Sequence, residues 1–276
     1  VIIKSGAVFE RFGTVRHVAV DKTGTLTRNE PAVTAVLTAN GIAEEQALAD
    51  EWMQASLDRR IALAKKHKAG EIEAVHEVTT ANVYKQQLVA VEGQTDILTM
   101  GLPYICPYNV NSIMNPILVM CLGLGYFFNL YRGRPLVREG GVLILSHPTP
   151  WEFHPVHHPS YIDFFEQVLA DTTDPAEIER KYEKQFAEDE WYIHLYRNSY
   201  AYHGVHPFYM WYWGTHALEH LGRVIIVGGD PAAVRRMGFQ PASTLQDALE
   251  MATDVVGPQP TITHVKNPPI FMADVT

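Results

Sequence analysis

Short apolar runs rich in branched residues alternate along most of the chain with longer stretches patterned as helices, and that alternation is the strongest constraint on its fold. The strand-like runs fall at 83–91, 97–100, 141–146, 223–227 and 261–265, with helical runs between them at 161–170, 175–187 and 244–255. Strand and helix in turn predict βαβ units, hence an α/β fold: a largely parallel sheet with flanking helices, Rossmann-like in type. A long amphipathic helix is predicted over 44–68, ended by Gly70. The stretch 113–130 carries no charge over eighteen residues, long enough to span a bilayer. Asn115, Pro116 and Asn129 interrupt it, so a buried core helix is the expected reading and no membrane span is predicted.

Composition narrows the partners. Across 276 residues, Lys plus Arg number 22 against 31 Asp plus Glu, a net charge of −9. A chain so acidic lacks the basic face that a nucleic-acid backbone requires. The two cysteines, Cys106 and Cys121, fall in no metal-binding spacing and predict a reduced, cytoplasmic setting. The first residues lack the pattern of a signal peptide. They begin with Val rather than Met, so the chain is expected to be a fragment or a processed product.

Two unequal parts are expected, 1–43 and 44–276. In the first, a short helix (7–12), an apolar strand (15–20) and a second strand (33–37) frame DKTGTLT at 21–27. The strand delivers Asp21 at its carboxyl end, where open α/β sheets present reactive groups, and the Gly-containing turn lets backbone amides face an anion. The string VRHVAVDKTGTLTRNEP, with IIKSGAVFERFG before it, resembles the phosphorylation segment of heavy-metal P-type ATPases. The resemblance implies that Asp21 is the phosphoryl acceptor, that Thr23 lies close to the phosphate, and that Mg²⁺ assists. It covers about forty residues; no SxHP, TGD or GDGxND string follows.

The second part carries TDILTMGLP, NVNSIMNP, GGVLILS, DPAEIERKYEKQF, HGVHPFYMWYWG, GRVIIVGGDP and MGFQPASTLQDALEMA in that order. That succession, over about 80–276, resembles the carboxyl-terminal domain of the lactate racemase superfamily. The resemblance implies racemisation or epimerisation of a 2-hydroxy acid with a nickel pincer nucleotide. The family's histidine bases, tethering lysine and nickel ligand belong to an amino-terminal domain, so it also implies a separate partner for that domain and little activity alone. On the matching segments Asn109, Asn111 and Asn115 fall where the family contacts substrate, although the family's Tyr-Gln pair and Lys are replaced. A family Gly-His followed by Trp corresponds, one place out of register, to His206 and Trp211.

Nine of thirteen histidines lie between 147 and 220. HPTPWEFHPVHHPSY places His147, His154, His157 and His158 on a Pro-rich loop after a strand, and YHGVHPF adds His203 and His206 among aromatics. Imidazoles there suit proton transfer or metal binding. His203, His206 and Trp211 are the candidate catalytic residues; Asn109, Asn111, Asn115 and His158 are candidates for substrate binding; no metal ligand is assigned. His216, Glu219 and His220 match H-x-x-E-H, which a solvated helix end explains as well. A non-catalytic small-molecule or metal-binding α/β domain is the further alternative.

Overall fold

The computed structural model describes residues 72–266 and 271–276. The expectations for 1–43, including Asp21 and Thr23, for the helix 44–68 and for the 43/44 boundary lie outside the described residues. The chain divides into two compact units, Val1–Gln86 and Gln87–Thr276. At their junction helix α1 (Ile72–Gln87) leads into strand β1 (Leu88–Val91). The run 83–91 was expected to be strand throughout, yet 83–87 closes α1. The ladder that β1 joins runs only from Leu88↔Met272 to Val91↔Val275. Lys85, Gln86 and Gln87 before it are good helix formers.

The larger unit continues through β2 (Thr95–Gly101), α2 (Pro116–Met120), β3 (Tyr131–Arg132), β4 (Val137–Ser146), α3 (Pro159–Asp163), α4 (Pro175–Ile178), α5 (Glu190–Asn198) and α6 (His206–His220). It closes with β5 (Arg223–Val227), α7 (Pro231–Arg236), β6 (Gln240–Ala242), α8 (Leu245–Val256), β7 (Ile262–Val265) and β8 (Met272–Val275). Three helices change pitch: α2 runs on as a π-helical stretch (Cys121–Tyr126), α3 as Phe164–Val168, and α4 as Glu179–Glu183. Sequence periodicity near 3.6 does not separate such turns from α-helix, so 161–170 and 175–187 were expected as plain helices.

Five parallel strands form the main sheet in the order β6-β5-β4-β2-β7, and a smaller parallel sheet has the order β1-β8-β3. The fold is therefore the α/β class that the alternation predicts. β2, β4, β5 and β6 step across the sheet in one direction, and right-handed crossovers put α2 to α7 on one face. There Leu98, Met100, Leu143, Leu145, Val224 and Ile226 are buried in one cluster with Phe164, Trp211 and Val234. The return to β7 puts α8 on the other face, where Ala248 and Ala252 pack on Ile97, Val142, Ile144 and Ile225. That reversal makes a switch point between β2 and β7, the kind of place where parallel sheets open toward ligands.

The uncharged stretch 113–130 folds as core. Asn115 caps α2, its Oδ1 accepting from Leu118 N–H at 3.1 Å. Residues 116–125 are buried, and Cys121 Sγ lies 3.5 Å from Met210 Sδ of α6. Among the described residues no helix is long and apolar enough to cross a membrane.

Asp96 fastens three strands at the opposite, amino-terminal end of the sheet. Its carboxylate accepts from Arg138 Nε of β4 at 2.5 Å and from Thr261 N–H and Oγ1–H, both at 2.7 Å, just before β7. The Arg138 guanidinium, followed by the Thr261 donors, holds its pKa down at about 2 against an ordinary 3.8. A depressed carboxylate stabilises the fold above its unfolded pKa and loses that contribution as pH falls through the folded value. Asp96→Ala is expected to cost about 1–2 kcal/mol in a denaturant titration at neutral pH. The difference from wild type should shrink as pH falls from 3.8 toward 2.

Candidate functional site

Two loops leave the carboxyl ends of neighbouring strands: 102–115 after β2 and 147–158 after β4. Leu102 N–H donates to Ser146 C=O at 3.1 Å and ties them at their bases. The first loop is organised by Asn109. Its Nδ2 donates to Tyr104 C=O and Ser112 C=O, both at 3.1 Å, and its Oδ1 accepts from Cys106 N–H at 3.3 Å. With its amide spent on the backbone and the residue buried, Asn109 shapes the loop. Asn111, also a substrate candidate, sits exposed at the tip with φ 52°, a left-handed conformation that Asn tolerates.

The ordered loop presents Tyr108 in two ways. Its carbonyl accepts from His158 Nε2–H at 2.9 Å, and its phenol meets the Tyr126 hydroxyl at 2.9 Å. A carbonyl only accepts, so the neutral His158 ring carries its proton on Nε2 and leaves a lone pair on Nδ1. That Nδ1 is buried without a hydrogen-bond partner. Burial, more than any neighbouring charge, lowers the His158 pKa to about 4.

His206 opens α6 beside it. Its Nδ1 meets the Tyr161 hydroxyl at 2.5 Å, and its ring stacks on Tyr202 at 4.3 Å between centroids. Tyr202 also lies face to face with His158, at 5.5 Å and 15° between planes. Tyr161 is fully buried, and desolvation pushes its phenol pKa well above the ordinary value, so the phenol keeps its proton. Burial likewise lowers His206 to about 4, with His158 and His203 adding to the shift. The approach depends on Gly204: a Cβ there would lie 2.3 Å from Phe186 C=O, a clash with backbone.

The remaining candidates take different places. His203 closes the turn before α6, its Nδ1 accepting from Val205 N–H at 3.3 Å and its carbonyl from His206 N–H at 2.9 Å. Trp211 is fully buried in the core and its indole N–H donates to Thr173 C=O at 3.1 Å, so it does not join the cluster. Asn115 is fully buried as the α2 cap, with Nδ2 unpartnered. Three tyrosines, 108, 161 and 202, complete the cluster and were not among the candidates. Their signal was present in the sequence, since Tyr161 stands three residues after His158 and Tyr202 directly before His203.

Among the described residues no three His, Cys, Asp or Glu side chains gather as a metal-ligand set. His216 and His220 do not converge: His220 Nε2 hydrogen-bonds Val137 C=O at 2.8 Å, while His216 lies exposed near Glu219. Burial pushes the Cys106 thiol up to about 11 and the Cys121 thiol higher still, so neither offers a thiolate at neutral pH.

Fold and cluster together describe an α/β protein in which Tyr108 and His158, from loops after parallel strands, gather with Tyr161 of α3, with Tyr202 just ahead of α6 and with His206 at its start. No family model matches the chain. It is 53% identical over 47 residues to the zinc/cadmium/lead-transporting P-type ATPases of Escherichia coli (strain K12) and Shigella sonnei (strain Ss046), a match covering 17% of this chain and 6% of each of those. The structure of the lactate racemase apoprotein from Thermoanaerobacterium thermosaccharolyticum is similar over 74% of this chain and 41% of its own, with TM-score 0.46 and 18% identity. The chain thus spans a small part of the curated relatives' length and under half of that solved chain.

Because His147, His158 and His206 are each held near 4, the folded protein refuses protons that the unfolded chain binds below 6.5. Stability is therefore expected to fall as pH drops from 6.5 to 4, by at most about 1.4 kcal/mol per pH unit for each withheld proton. Histidine ¹⁵N shifts midway through that window should still report three neutral rings.

Proposed function

We propose that the 87–276 unit binds a small 2-hydroxy or 2-keto acid at the histidine and tyrosine cluster, as the substrate-handling half of a lactate-racemase-like isomerase. The observation that supports this best is a pair of uncharged imidazoles with complementary capacities, His158 buried and His206 half-buried. His158 offers a lone pair at Nδ1, its Nε2–H being committed to Tyr108 C=O. With the Tyr161 phenol donating to Nδ1 of His206, the His206 proton resides on Nε2 as a donor. A secondary alcohol both donates and accepts, whereas a ketone only accepts. On this reading His158 Nδ1 accepts the hydroxyl proton of the alcohol, and His206 Nε2–H donates to the oxygen of either alcohol or ketone. His203 and Gly204 are positioning residues for His206.

Among the described residues no ligand set gathers for the nickel that the resemblance implies. On this reading an amino-terminal domain supplied by another chain completes the enzyme. Titration with lactate and with pyruvate, followed by histidine ring NMR, tests the binding step. The expected result is saturable perturbation of His158 and His206, weakened about 10-fold by Tyr161→Phe, a loss of about 1.4 kcal/mol. Unchanged rings with both ligands overturn the reading.

A second reading is favoured by the 53% identity over 47 residues to the metal-transporting ATPases. Asp21 would attack the γ-phosphorus of ATP with Mg²⁺ bound, forming an acyl phosphate as the β–γ bridging oxygen leaves with ADP. Incubation with labelled ATP and Mg²⁺ should give a hydroxylamine-sensitive label that disappears in Asp21→Asn. No label on the wild-type chain rejects it.

A further inference from the structure

His158 is fully buried, and its Nδ1, the atom that the hydroxy-acid reading requires, is shut away from solvent. A ligand oxygen can reach that nitrogen only if a side chain of the cluster moves. Which one moves follows from how each ring is held.

Four of the five rings are tied through a polar atom. The Tyr108 phenol meets the Tyr126 hydroxyl, and the Tyr108 carbonyl holds His158 Nε2–H. The Tyr161 hydroxyl is committed to His206 Nδ1, which ties both of those rings, and Tyr161 is fully buried as well. Tyr202 differs on both counts. Its hydroxyl has no hydrogen-bond partner among the described residues, and its side chain is only half-buried.

Tyr202 nevertheless touches both imidazoles. Its ring lies 5.5 Å from that of His158 at 15° between planes and 4.3 Å from that of His206 at 29°. The backbone on either side is fixed. Tyr202 N–H donates to His157 C=O at 3.0 Å, and His203 C=O accepts from His206 N–H at 2.9 Å. At Gly204 the chain packs so closely that a Cβ would lie 2.3 Å from Phe186 C=O. Motion is thereby left to the Tyr202 side chain, by rotation between staggered wells.

We propose that Tyr202 is the gate of the cluster: its ring closes on His158 and His206 in the free protein and rotates into solvent to admit a ligand. The proposal rests on the hydroxy-acid reading for what enters. Stacking on two rings favours the closed state, and a ligand that binds only the open one has its affinity reduced by the open fraction. A gate and a mere support then predict opposite signs. Removing a gate tightens binding, whereas removing a support loosens it.

Lactate and pyruvate, titrated into the full chain and followed by the His158 and His206 ring resonances, make the test. Tyr202→Ala is expected to tighten binding of both about 10-fold, because no closed state remains. Tyr202→Phe keeps the ring, loses only an unpartnered hydroxyl, and should bind as the wild type does. In the unaltered protein the Tyr202 ring protons, shifted upfield by the stacked imidazoles, should move toward free-tyrosine positions as ligand binds. Imidazole shifts with stationary Tyr202 resonances, or with weaker binding in Tyr202→Ala, overturn the gate and spare the hydroxy-acid reading. Diethylpyrocarbonate, an uncharged reagent that acylates a neutral imidazole at its free lone pair, probes opening without any hydroxy acid. His158 should react slowly in wild type and Tyr202→Phe and about 10-fold faster in Tyr202→Ala. That acceleration with rings silent to lactate and pyruvate upholds the gate and overturns the reading; equal rates in all three proteins overturn the gate.

Discussion

The site depends on one buried amide. Asn109 spends its side chain on three backbone groups of its own loop, and without those bonds the loop after β2 has no reason to hold its shape. Tyr108 follows from it twice over: the carbonyl fixes which nitrogen of His158 carries the proton, and the phenol reaches Tyr126 on the π-helical stretch. Tyr104, whose carbonyl Asn109 also holds, is set over His147. A residue that the sequence suggested as a substrate contact thus spends its amide on holding the loop.

Desolvation dominates the electrostatics of the cluster. The chain carries a net charge of −9, and acidic surroundings ordinarily favour charged imidazoles. At His158 and His206 burial outweighs that tendency, and the nearby groups are phenols and other imidazoles rather than carboxylates. Neutral rings accept and donate at once, which protonated rings cannot do. Packing against Tyr202 and Tyr161 shields His158 fully and His206 in part.

Much of the larger unit was legible in the sequence, and what escaped did so for physical reasons. The runs 97–100, 141–146 and 223–227 announce themselves as apolar because both faces of a parallel sheet are covered. β6 and β8 are three and four residues long, too short for any periodic pattern to emerge. The 83–87 segment looked strand-like because Val83 precedes a genuine strand, and only the length of the β8 ladder decides where pairing stops. In the candidate site, histidine clustering on a Pro-rich loop pointed to the region where the structure gathers imidazoles and phenols. It could not separate His206, which faces an ordered tyrosine, from His203, which caps a turn, since that difference lies in backbone geometry. Trp211 drew attention as an aromatic beside a histidine, but on α6 it falls on the side facing Phe164 and the core.

The order of the strands also bears on how the molecule is made. β2 lies inside the sheet, yet the partner on one of its sides, β7, lies about 165 residues further along the chain, as the Asp96 to Thr261 bonds mark. During synthesis β2 can pair with β4 early, while its other edge waits until nearly the whole unit has emerged. An apolar strand with an open row of amides is a template for wrong pairing. The pairing of β2 with β7 therefore leaves one edge of an apolar strand open until the chain has been made past Val265.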